Sequence, residues 1–251
     1  MAERPRLAAL ALTLFAAAGT AADLLDPAFR DEVAARIPGV SGEDIAPSPV
    51  PGIYRVRRGE SIGYLTADGR YLFDGDLIEL GSGENLSDTA RREWRREILA
   101  GVPESSMLVY EPADGASHTL TVFTDVDCRY CRRLHADIDT LLAAGIRVRY
   151  LFYPLAGPES SSFEQARAVW CADEPRRALG RAMAGETLAS AGAACDDPVM
   201  DHLRLAAETL GLDGTPGLIA GDGRLLPPRS SARELADLLG RGPDGDRQSG
   251  R

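Results

Sequence analysis

The chain contains no lysine; all 28 of its basic residues are arginine. That excludes a phosphate-binding loop built on lysine and any lysine Schiff base. Histidine is scarce, and His118, His135 and His202 show no ligand spacing. Only one Cys-x-x-Cys pair is present, so a zinc site would lack its other half. Apart from the run at residues 7–18 no stretch is markedly apolar, and that run falls short of the roughly 20 residues a membrane span needs. An excess of positive charge is also missing. The formal net charge is -10, with acidic residues scattered along the chain, and such a surface repels phosphate backbones and excludes nucleic acid as a partner. There is no internal repeat.

What is present is enough to bury a core. At 251 residues and 44% hydrophobic composition, the chain suits one large domain or two smaller ones. A basic start (Arg4, Arg6), the apolar run and small residues up to Ala22 predict a secretory signal peptide at 1–22, cleaved near Ala22. The product is then expected to be soluble, without membrane insertion. Export gives meaning to the four cysteines, Cys128, Cys131, Cys171 and Cys195, because an even count in an oxidising compartment implies disulfides.

Turn signals divide the rest. Helical apolar spacing covers residues 24–36, and a proline-rich connector covers 46–52. Short strands follow at 53–57, 62–66 and 71–73, the last continuing into 77–80. So few strands make a thin core, which pairing with a second copy would complete. Residues 87–99 read as a charged, solvated helix with a serine cap at Ser87, separating two domains. Beyond it the pattern is strand 107–110, strand 119–124, one helix from Cys128, buried strand 146–153, a largely helical segment 161–210, a hairpin at 218–226 and a final helix 231–239. The fold class is therefore α+β.

Chemistry concentrates in Thr121-Val-Phe-Thr-Asp-Val-Asp-Cys128-Arg-Tyr-Cys131. A strand ends near Thr124 and a helix begins near Cys128, so both cysteines fall on one side of the first turn. A thiolate is the nucleophile of disulfide exchange. Lowering a thiol by three units takes roughly 4 kcal/mol. The helix dipole supplies at most about 2, so hydrogen bonds from Cys131 and its backbone must add the rest. Arg129 and Arg132 would assist, whereas Asp125 and Asp127 would oppose. His135 reads as an ordinary polar residue, since thiol exchange needs no histidine. Cys171 and Cys195 read as a structural disulfide worth roughly 3 to 4 kcal/mol by loop closure, with a second redox pair as the alternative.

With these residues in hand, the chain resembles the DsbC/DsbG family of periplasmic disulfide isomerases. Gly52-Ile-Tyr-Arg-Val and Tyr64-Leu-Thr-Ala-Asp-Gly-Arg-Tyr-Leu look like its dimerisation domain, Val122-Phe-Thr-Asp with Cys128-Arg-Tyr-Cys131 like its active site, Val169-Trp-Cys171 and Cys195-Asp like its second disulfide, and Gly214-Thr-Pro-Gly217 like its substrate-facing loop. The resemblance implies a signal peptide (1–22), a small N-terminal dimerisation domain (23–86), a linker helix (87–103), a C-terminal thioredoxin-like catalytic domain with a helical insertion (104–240) and a flexible tail (241–251). It makes Cys128 the attacking thiol and Cys131 the resolving one. Thr215 and a cis Pro216 would bind substrate, and Arg129 and Tyr130 would modulate the site. Arg129 stands where the family usually has glycine, and a cation there should favour the Cys128 thiolate. No cofactor and no metal are implied. The implied partners are a second copy, misoxidised exported proteins and a membrane reductase of the DsbD type, all in the periplasm. Rival readings are a DsbG-like reductase of oxidised single cysteines with chaperone activity, a non-catalytic chaperone, and a DsbA-like oxidant, against which residues 23–103 argue.

Overall fold

A computed structural model describes residues 26–190, 192 and 195–241. The expected signal peptide at 1–22, and the tail from 242, lie outside the described residues. The chain divides into two units, one of residues up to 56 with 63–73, the other of 57–62 with 74 onwards.

In the first unit, helix α1 (Pro27–Ala34) starts where the Asp26 carboxylate accepts from the Ala28 N–H, with proline at the first helical position, and is shorter than expected. Strands β1 (Ile45–Pro47), β2 (Ile53–Arg58), β3 (Ser61–Thr66) and β4 (Leu72–Asp74) form a sheet in that order. Residues 46–52, expected as a connector, thus begin as a strand; Pro47 is tolerated at the end of an edge strand, where its missing N–H breaks no ladder. Val33, Ala34, Ile45, Val56 and Leu65 make the core. On the opposite edge, β4 leaves Tyr71, Leu72 and Phe73 more than half exposed, at 56%, 51% and 54%.

The second unit opens with a small hairpin, β5 (Ile78–Glu79) and β6 (Glu84–Asn85), then α2 (Leu86–Ala100) and β7 (Leu108–Tyr110). Next come β8 (His118–Thr124), α3 (Arg129–Ala136), α4 (Ile138–Ala143) and β9 (Ile146–Phe152). The remainder is α5 (Ser161–Trp170), α6 (Pro175–Met183), α7 (Val199–Arg204) widening into a looser turn at Leu205–Thr209, β10 (Gly217–Ala220), β11 (Leu225–Leu226) and α8 (Ala232–Gly240). The sheet order is β11-β10-β8-β9-β7, with β8 and β9 parallel and the other pairs antiparallel.

Side-chain alternation gives this sheet two buried faces. Leu120, Val122, Val148, Tyr150 and Phe152 pack with Leu134, Leu141, Val169, Leu179 and Leu235 from the helices on one side. Phe123, Leu151 and Ile219 pack with Trp94, Leu99, Ala206 and Leu210 on the other. Helix α2 therefore departs from the solvated helix expected at 87–99: Trp94 and Leu99 are buried, and Arg95 is only 3% exposed. Its cap is Asn85, which accepts from the Asp88 N–H, while buried Ser87 accepts from the Leu77 N–H at 2.9 Å. The strands expected at 71–73 and 77–80 are separate, divided at Asp74-Gly-Asp76 where the sequence carries a turn signal, and the helix expected from Cys128 breaks at Asp137 into α3 and α4.

Candidate active site

The site is built where β8 hands over to α3. Between them the loop is pinned by Asp125, a buried carboxylate whose Oδ1 accepts from the Asp127 N–H and whose Oδ2 accepts from the Leu155 N–H, both at 2.9 Å. Asp127 pairs with Arg132 at 3.1 Å. Both carboxylates expected to oppose a thiolate are thus engaged with other donors.

Cys128 caps α3, its sulfur accepting from the Cys131 N–H at 3.4 Å. It is half-buried, whereas Cys131 is 1% exposed. A hydrogen bond from the Cys131 thiol is the first cause that brings the Cys128 thiol down to about 5. Burial opposes it, and the Thr215 side chain and the backbone N–H groups of Cys131 and Tyr130 add to the lowering. Arg129 does not figure among these causes. The same contact with Cys128, followed by burial, raises Cys131 far above the ordinary thiol range. One sulfur is thus charged and reachable at neutral pH, and the other is protonated beneath it.

Opposite Cys128 lies the loop before β10. The Thr215–Pro216 peptide bond is cis, and the Thr215 carbonyl accepts from the protonated Cys128 thiol at 3.2 Å. The buried Thr215 hydroxyl forms no geometric hydrogen bond, yet it lies close enough to favour charge on the sulfur. This loop borders a groove of about 470 Å3 lined also by Tyr130, Leu212, Leu225 and Arg229. Arg129 turns to Tyr130, stacking 4.6 Å from its ring centroid and donating to its hydroxyl at 2.7 Å.

Cys171 and Cys195 are bonded to each other, with Cα atoms 6.0 Å apart. His135 is neutral, its pKa lowered by burial, and its Nδ1 lies 3.2 Å from the Tyr150 hydroxyl. His202 is buried and pushed down to about 4. Among the described residues no cluster of three His, Cys, Asp or Glu could hold a metal ion, and no helix is long and apolar enough to cross a membrane. Sequence reasoning missed the loop-holding role of Asp125, the Thr215 hydroxyl and Arg229. Only Asp125 carried a local signal, standing between a buried strand and the first cysteine.

Comparison with known proteins bears on the same residues. The disulfide bond isomerase protein N-terminal domain matches residues 15–88, and a thioredoxin-like domain matches residues 108–242. The thiol:disulfide interchange protein DsbC of Escherichia coli K12 is 33% identical over 227 residues, covering 90% of this chain and 92% of its own. The chain belongs to the DsbC family. Another DsbC, from Haemophilus influenzae, is 33% identical over 200 residues, covering 80% of this chain and 83% of its own. A disulfide interchange protein from Neisseria gonorrhoeae aligns in structure over 56% of this chain and 97% of its own, at 24% identity and a TM-score of 0.48. As a DsbC-family chain it is a thiol-disulfide oxidoreductase of the isomerase type, with a thioredoxin-like domain behind the family's N-terminal domain.

Proposed function

We propose that the chain isomerises or reduces incorrect disulfides in exported proteins, with Cys128 attacking and Cys131 resolving. The observation that carries this reading is the opposite acidity of two sulfurs one helical turn apart. The Cys128 thiolate attacks a client disulfide, forming a bond to one client sulfur and releasing the other as a thiolate that takes up a proton. A client thiolate can then displace Cys128, which leaves the client's redox level unchanged and completes an isomerisation. Alternatively Cys131 loses its proton and attacks Cys128, releasing a reduced client and oxidising the enzyme by two electrons. Continued isomerisation then needs a reductant, and a membrane reductase of the DsbD type fits that need. Thr215 and Pro216 receive the client beside the sulfur, with Tyr130 and Arg129 at the rim, and the Cys171–Cys195 disulfide is structural.

In the same reading residues 1–22 direct export to the periplasm, 23–86 pair with a second copy, 87–103 link, 104–240 catalyse and 241–251 trail. The open β4 edge with Tyr71, Leu72 and Phe73 supports pairing, since an apolar edge strand is a template for another chain. Incubating the mature protein with a scrambled multi-disulfide substrate in glutathione buffer tests the proposal. Recovery of substrate activity should require Cys128 and vanish in Cys128→Ser. No recovery by a folded, reducible wild type would sink the isomerase reading.

A further inference from the structure

Two arginines distant in sequence meet one aromatic ring at the mouth of the groove. Arg129, at the start of α3, holds its guanidinium 4.6 Å from the Tyr130 ring centroid, and Arg229, from the loop between β11 and α8, holds its own 5.6 Å from the same centroid. The contacts both guanidinia make are to Tyr130, Arg129 also donating to its hydroxyl at 2.7 Å, and neither forms an ion pair among the described residues. Both side chains are exposed, yet the shared ring restrains them, so little freedom is lost when a ligand arrives. Two carboxylates, Glu60 and Asp213, line the groove with Arg229; Glu60 is held by Arg95 at 2.7 Å. Tyr130 also responds to this charge: Arg129 first, and Arg229 after it, lower its phenol below the ordinary range.

An exposed arginine fork without a carboxylate partner can bind one in bidentate fashion with no ion pair to break. Cys128 is two residues from Tyr130, and its sulfur lies 3.2 Å from the carbonyl of Thr215, which lines this groove. We propose that Arg129 and Arg229, braced on Tyr130, form an anion-recognition clamp that selects disulfides whose sulfurs are flanked by carboxylates, such as acidic peptide segments around a cysteine or the glutathione moiety of a mixed disulfide. The inference rests on Cys128 being the attacking thiolate. It also reassigns Arg129 from tuning the thiol to choosing its client.

Two small disulfides of opposite charge test this: oxidised glutathione, which is net negative, and cystamine, which is net positive. The reduced full-length mature protein attacks either one, forms a mixed disulfide with half of it and releases the other half as a thiol, after which Cys131 closes the pair and releases the second thiol. Second-order rates are measured by rapid mixing at low ionic strength. The ratio of the glutathione rate to the cystamine rate should fall about tenfold in the double variant Arg129→Gln/Arg229→Gln, the low end of electrostatic steering, with each single variant giving part of the fall. In the wild type the ratio should shrink toward the double variant's as salt approaches about 0.5 M. An unchanged ratio overturns the clamp. So does a parallel fall of both rates, which would return the arginines to tuning the thiolate. If neither disulfide reacts with the wild type, the proposed function fails along with the clamp; a wild type that reacts through Cys128, absent in Cys128→Ser, with a ratio the double variant leaves unchanged fails the clamp alone.

Discussion

Thiol acidity depends on which groups donate to the sulfur once it is charged, and for Cys128 the first donor is its own partner. Alkylation of the reduced protein should therefore follow a titration centred at about 5. In Cys131→Ala, loss of a hydrogen bond to a charged group should move that centre up by about 1 to 2 units. Stability follows the same linkage. A thiol whose folded value is depressed contributes stability that is fully present above its unfolded value of about 8.5 and is lost as pH falls through the folded value. The reduced protein should thus gain melting temperature between pH about 5 and 8.5, and reduced Cys128→Ser should not. Cys131 has the opposite sign, and its contribution is lost only above that window. The cap position of Cys128 was legible from the strand-to-helix change at Thr124. The engagement of Asp125 by the Leu155 N–H was not, because that donor lies 30 residues away.

Helices and turns carry a second set of consequences. Helix α2 brings the buried Arg95 guanidinium to Glu60 at 2.7 and 3.2 Å and to the Gly223 carbonyl at 3.0 Å. Arg95→Ala removes buried packing and hydrogen bonds to a charged group, while Glu60, 27% exposed, keeps some solvation, so it should cost about 2 to 3 kcal/mol in a urea titration. Gly223 turns from β10 to β11 at φ +84, and a Cβ there would run into the Arg92 carbonyl of α2. Gly223→Ala should destabilise by more than about 2 kcal/mol, with the loss visible in the same titration. The alternating charges of residues 87–99 predict a helix correctly. They do not reveal its buried stripe, because an arginine that forms a buried ion pair looks the same in sequence as one in water.

For the whole molecule, covalent and quaternary ties decide what a thin core cannot. Cysteines separated by 24 positions close a loop whose bond should be worth about 3.5 kcal/mol, so Cys171→Ser/Cys195→Ser should melt well below the wild type under oxidising conditions. The first unit has a core of few buried apolar side chains and an apolar edge. A charge placed on that edge, as in Phe73→Asp, should convert a dimer to a monomer in analytical ultracentrifugation. If pairing serves the handling of protein clients, the same substitution should suppress recovery of scrambled substrate while sparing reaction with small disulfides.

Local pattern was enough to determine a good deal here. The Cys-x-x-Cys helix start, the alternating strands and the serine cap of α8 all depend on neighbours within a few residues, and sequence displays those directly. Tertiary structure alone decided which groups reach the sulfur and which side chains meet over Tyr130 beside it. Thr215 comes to Cys128 across 87 positions, and Arg229 meets Arg129 over a single ring from another loop. Such encounters follow from how β8, β10 and α3 pack, and the chemistry of the site is set by distances of a few ångströms that no linear spacing encodes.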